Sequence, residues 1–138
     1  MLAAVVAEAP AAGDLTRQEP VLFTVQVGTP AGEHRFVPAQ LAFETGKLYR
    51  LRIENRSPND YYFFSPGLAD SVYSRKVAVL DGGDKAIAEV YGPVRRLEIK
   101  AGGTVEWWFV PVRTGSFDDL VSTRSHTQAG MTGSIEIR

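Results

Sequence analysis

The sequence predicts an all-β domain, an antiparallel sandwich or barrel of short strands. Three observations predict it. Short runs alternate apolar and polar residues with a period of two, as strands with one buried face must. Turn-forming Gly, Pro, Asn and Asp residues punctuate those runs at close spacing. Helical spacing of apolar residues appears in one stretch only, so helices are a minor component.

The elements follow in order. "VLFTVQV" (21–27) is β-branched and aromatic, a strand composition. In "KLYRLRIEN" (47–55), Tyr49, Leu51 and Ile53 share one face and Arg50, Arg52 and Glu54 the other, while Leu48 breaks the phase. "VRRLEIK" (94–100) sets Leu97 and Ile99 opposite Glu98 and Lys100. "TVEWWFVP" (104–111) groups Val105, Trp107 and Phe109, which sends Trp108 to the other side. "GSIEIR" (133–138) groups Ile135 and Ile137. Each one-sided apolar face must bury against a second layer. Between the strands lie "TPAGE" (29–33), "ETG" (44–46), "NRSPND" (55–60), "DGGD" (81–84), "AGG" (101–103) and "RTG" (113–115). The exception is "PGLADSVYSRKV" (66–77), where Leu68, Val72 and Tyr73 have helical spacing. It reads as a short helical excursion.

Composition narrows the function classes. The chain's 138 residues allow one domain with a real core. A net charge of −1 argues against nucleic acid as a partner, which calls for a basic excess or stripe. No segment approaches the roughly 20 apolar residues of a membrane-spanning helix. The count of cysteines is 0, which removes disulfides, thiolate metal sites and cysteine catalysis. Residues 1–20, Ala-rich with a short apolar run over 2–7, read as a leader or tether. The folded domain is therefore expected over 21–138.

Four stretches, taken together, resemble the cupredoxins, the small copper-protein β-sandwiches. "FVPAQLAFETGKLYRLRIEN" (36–55) is similar to that family's Phe-x-Pro, apolar strand, turn glycine and strand ending in Asn. "IKAGGTVEWWFVPVRTGSF" (99–117) is similar to its Gly turn, aromatic strand and Gly-aromatic pair. "HTQAGMTGSIEI" (126–137) is similar to its last ligand loop and closing strand. "NRSPNDYYFFSP" (55–66) falls where the family places its first histidine ligand. The resemblance covers about residues 22–138 and implies a plastocyanin- or azurin-like Greek-key sandwich.

Blue-copper members hold copper with two His, one Cys and a weak axial Met. By resemblance His126 matches the second histidine and Met131 the axial methionine. Tyr61, or its neighbours Asp60 and Tyr62, stands at the first histidine. Val121, Ser122 or Thr123 stands at the cysteine, Val121 being the preferred match. The two strongest ligands are thus replaced. The tyrosine hydroxyl is expected to meet His126 or a carbonyl. His34, by analogy, is expected near the opposite end of the strand system, on the surface. The outward-facing Trp108 marks a candidate contact surface. Arg50, Arg52, Arg95 and Arg96 read as a solvated face, and Asp118 and Asp119 as partners for Arg113 or Arg124.

No nucleophile elbow, His-Glu-x-x-His or phosphate loop is present. A triad from Ser125, His126 and Asp119 fails because adjacent Ser and His side chains point apart. The resulting expectation is a non-enzymatic protein with a degenerate type 1 copper site and no cofactor. It would serve as a binding or structural module, or an accessory subunit with a protein partner, in an extracytoplasmic, periplasmic or membrane-associated assembly. The second reading is a low-affinity copper carrier or sensor using His126 and Met131, with Asp60, Tyr61 or His34 as a third ligand.

Overall fold

The structure, a computed structural model, describes residues 12–138. Residues 1–11 of the expected leader lie outside the described residues. Two sheets face one another. The first has six strands in the order β2-β1-β4-β9-β6-β7. These are β1 (Val21–Val27), β2 (Phe36–Val37), β4 (Tyr49–Glu54), β6 (Val72–Leu80), β7 (Ala86–Val90) and β9 (Thr104–Pro111). The second has five in the order β3-β11-β10-β5-β8. These are β3 (Gln40–Phe43), β5 (Tyr61–Phe64), β8 (Arg96–Ile99), β10 (Gly115–Val121) and β11 (Thr132–Ile137). The all-β sandwich predicted from alternation is what the chain forms.

The alternation sets the core directly. Leu51 and Ile53 of β4, Trp107 and Phe109 of β9, and Ile135 and Ile137 of β11 all point inward and are buried. Burying side chains of this size contributes roughly 1.5–3 kcal/mol each before ordering entropy is subtracted. Phe43, Tyr49 and Phe109 meet with ring centroids 4.8–5.9 Å apart, so one end of the core is aromatic. Trp107 donates its indole N–H to Ser74 Oγ at 2.9 Å, which satisfies its one polar atom inside the sandwich.

Two pairings position the functional end. Strand β1 runs parallel to β4, with Val21 opposite Tyr49 and Gln26 opposite Glu54. The loops that follow them, 28–35 and 55–60, therefore leave the sheet at the same end. Strand β11 likewise runs parallel to β3. Parallel neighbours need long connections, and the chain supplies them by crossing between the sheets.

Several expectations are corrected. The 66–77 excursion is helical only in α1 (Pro66–Ala69); from Val72 onward it is strand β6. Pro66 at the first helical position and Ser65 accepting from Leu68 N at 3.2 Å start the turn. Asp119 does not pair with an arginine. A register irregularity between Phe117 and Leu120 turns it toward α1. There it accepts from Ser65 Oγ at 2.5 Å and Gly67 N at 2.6 Å. Within the expected leader, Gln18 donates its amide to the Gly46 carbonyl at 2.7 Å.

The outer face of the six-stranded sheet is an ion-pair lattice instead of a plain solvated surface. Arg52 meets Glu54 at 2.8 Å and Asp84 at 2.9 Å, and Glu106 lies between Arg50 and Arg52. Trp108 is half-buried in it, with Arg50, Arg75 and Lys76 each 4.9–5.5 Å from its ring. The outward tryptophan is therefore covered by cations. Arg95 and Arg96 remain exposed, Arg95 pairing with Asp70 at 2.8 Å.

Candidate functional site

Strand β5 begins with the "YYFF" run, and its period of two decides the site. Tyr61 and Phe63 face inward, while Tyr62 and Phe64 are half-exposed. Tyr61 is 0% exposed, although a phenol carries a polar atom that must be satisfied. Its hydroxyl lies 2.7 Å from His34 Nδ1 and accepts from the Asn59 side-chain amide at 3.2 Å. In the His34 tautomer protonated at Nε2, Nδ1 accepts the phenol proton while the phenol oxygen accepts from the amide.

Both partners arrive on loops at the same end of the sandwich. Asn59 belongs to loop 55–60, which Asn55 holds in shape. The Asn55 amide donates to the carbonyls of Asn59 at 2.7 Å and Ile99 at 2.8 Å. Its carbonyl oxygen accepts from Ser57 N at 3.0 Å and Ser57 Oγ at 2.8 Å. His34 belongs to loop 28–35, opened by Gly28 at φ +75°. A Cβ on Gly28 would fall 2.2 Å from Tyr61 Cε2, so the edge of the tyrosine ring occupies the space a side chain at position 28 would need.

The segment expected as an extended ligand loop contains a helical turn, α2 (Arg124–Gln128), capped by Thr123 accepting from His126 N at 3.2 Å. This turn carries the His126 ring to within 4.8 Å of the Tyr61 ring and 4.4 Å of the His34 ring, centroid to centroid. His126 Nδ1 is buried and has no hydrogen-bond partner among the described residues. Burial first, and the neighbouring His34 second, hold the His126 pKa below the ordinary histidine value.

The structure brings the Tyr61 and His126 rings together, but the hydroxyl serves His34 and not His126. His34 is exposed, yet it sits at this end of the strand system and not the opposite one. Met131 is 0% exposed within the main apolar cluster, and its N–H donates to the His126 carbonyl at 3.0 Å. Val121 ends β10 opposite Phe64 and Thr132. The next residue ties the parts together: Ser122 Oγ accepts from Tyr62 N at 3.0 Å, and Ser122 N donates to Thr127 Oγ1 at 3.1 Å. Asp60 points elsewhere, accepting from Ala101 N at 2.8 Å.

Sequence reasoning missed Asn59 and Gly28 as members of the cluster, and it named His34 only as an alternative third ligand while expecting it at the opposite end. One signal was available. The chain has only 2 histidines, and "GEHRF" follows the strand whose parallel pairing fixes this end.

Two packed sheets with this strand order, closing on a loop that carries His126 and Met131, define the class: the chain has the cupredoxin-like fold. Auracyanin B has a similar structure, with 16% identity, coverage of 96% of this chain and 99% of that one, and a TM-score of 0.54. Auracyanin A, a "blue" copper protein from Chloroflexus aurantiacus, is similar at 16% identity over 87% of this chain and all (100%) of that one, with a TM-score of 0.52. A multi-copper oxidase from Pediococcus acidilactici is similar at 14% identity and a TM-score of 0.59, where this chain spans 30% of the oxidase. No protein-family model and no curated protein sequence matches the chain.

A type 1 copper ion needs a thiolate and two imidazoles converging in one plane. This chain has no cysteine, and Tyr61, expected by resemblance at the first histidine, is a fully buried phenol hydrogen-bonded to His34. Its residues do not fit that ion. Among the described residues no helix is long and apolar enough to cross a membrane.

Proposed function

We propose that this chain is a non-enzymatic cupredoxin-fold protein whose type 1 copper site has been replaced by a side-chain plug. It acts as a binding or structural module, an accessory subunit of an extracytoplasmic or membrane-associated assembly. The observation that carries the reading is Tyr61. By resemblance it matches the first copper-binding histidine, and its hydroxyl is committed to His34 at 2.7 Å. A group with its hydrogen bonds already met inside the protein is poorly placed to release them to a metal. The similarity of auracyanins B and A, over 96% and 87% of this chain, supports the cupredoxin-like fold on which this reading stands. The extracytoplasmic setting rests on the family resemblance.

The direct test is optical and thermodynamic. Added Cu(II) should give no intense visible band. In competition with a Cu(I) chelator the protein should bind weakly. An intense thiolate-like band, or tight Cu(I) binding, overturns the reading.

One observation favours the second reading, a low-affinity copper carrier or sensor. His126 Nδ1 is a buried nitrogen without a partner among the described residues, hence a free donor atom. Sub-micromolar Cu(I) binding abolished by His126→Ala would establish that alternative.

A further inference from the structure

Tyr61 is more than a space filler, because its surroundings match the requirements for reversible one-electron oxidation. We infer that the Tyr61–His34 pair is a proton-coupled redox site, able to hold one oxidising equivalent on the phenol. Four observations point there. The phenol is 0% exposed, with Gly28 backbone against its ring edge and His126 near its ring, so water and other radicals are kept away. Its hydroxyl faces one base, His34 Nδ1, at 2.7 Å. It also receives one neutral donor, Asn59 Nδ2, at 3.2 Å, which stabilises charge on the oxygen as the proton leaves. The base in turn belongs to an exposed residue, which gives the proton a way out to solvent.

An outer-sphere one-electron oxidant, such as a high-potential metal complex, takes one electron from the Tyr61 ring. The Oη–H bond breaks and an Nδ1–H bond forms on His34. The products are a neutral phenoxyl radical, an imidazolium and the reduced oxidant. Reduction by a one-electron donor returns the proton from Nδ1 to Oη. A bare buried phenol lacks this route, because its cation radical would have no acceptor within reach and would carry an unpaired buried charge.

Tyr49 provides the internal control. It too is buried, but its hydroxyl accepts from the Glu44 backbone N–H at 2.8 Å and has no imidazole beside it. Tyr62, Tyr73 and Tyr91 are half-exposed or exposed and would yield short-lived radicals open to solvent.

The experiment uses the full chain with Tyr62, Tyr73 and Tyr91 changed to Phe, oxidised by a photogenerated ruthenium(III) polypyridyl complex. Electron paramagnetic resonance with ring-deuterated tyrosine reads the radical. A persistent tyrosyl signal is expected, with a solvent deuterium isotope effect on its formation. Tyr61→Phe, which keeps the ring and the packing, should abolish it. His34→Gln, at an exposed position, should leave the fold intact by circular dichroism and slow radical formation about tenfold or more. A signal that survives Tyr61→Phe, or a formation rate indifferent to His34→Gln, overturns the inference.

Discussion

A Cβ built on Gly28 would lie 2.2 Å from Cε2 and 2.9 Å from Cζ of Tyr61. The turn after β1 and the first side chain of β5 are thus fitted to one another across the sandwich. Gly28→Ala combines a left-handed backbone angle with overpacking against a ring that has nowhere to go. A cost of about 2–4 kcal/mol is expected, read as a lower urea midpoint with an unchanged slope. In a Tyr61→Ala background the ring clash is gone and only the left-handed angle and a 3.0 Å approach to Ser57 Cβ remain, so the same substitution should cost less, about 1–2 kcal/mol. Equal costs in the two backgrounds would show that the contact is not what constrains position 28.

Asn55 is the next constraint, since four hydrogen bonds meet in its buried side chain. Asn55→Ala leaves the Ile99 carbonyl and the Ser57 groups short of partners in the interior. A loss of about 3 kcal/mol is expected in chemical denaturation. Because the loop also carries Asn59, the Tyr61 ring resonances should shift in the folded variant. A variant as stable as the parent would mean that water takes over all four contacts.

Asp119 offers a test far from the histidines. It bonds both the cap residue of α1 and the Gly67 N–H. Asp119→Ala should cost about 2 kcal/mol, and Asp119→Asn less, since an amide oxygen still accepts. Equal stability of all three proteins would assign α1 entirely to Ser65.

The pH dependence has a definite sign. His126 has its pKa lowered in the folded state, so the unfolded chain binds the proton more readily. Its contribution to stability is present above the unfolded histidine pKa of about 6.5 and is lost as pH falls through the folded value. Urea midpoints should therefore drop on acidification below about pH 6.5 more for the parent than for His126→Gln. His126 ring protons should titrate below the ordinary histidine range by NMR. Titration at or above that range would contradict the burial assigned to this ring.

The alternation of residues 49–53 and 105–109 made the strands and their buried faces legible, because a strand's side-chain period is a local property. The phase of "YYFF" likewise sets Tyr61 and Phe63 on one face and Tyr62 and Phe64 on the other. The missing thiolate was a matter of counting. Local signals were poorer for α1 and α2. In 66–77 the helical spacing of Leu68, Val72 and Tyr73 was coincidental, and only the capped turn around Pro66 is helical. The α2 turn has five residues, too few for periodicity to register.

By itself, then, the sequence determined a sandwich and a loop with an imidazole and a thioether but no sulfur anion to anchor copper. Tertiary structure alone decided that His34 answers Tyr61. That meeting depends on β1 and β4 running side by side in the same direction, which brings loops 28–35 and 55–60 to one end. Strand direction is settled by pairing between residues far apart in the chain, and no short window of sequence contains that information.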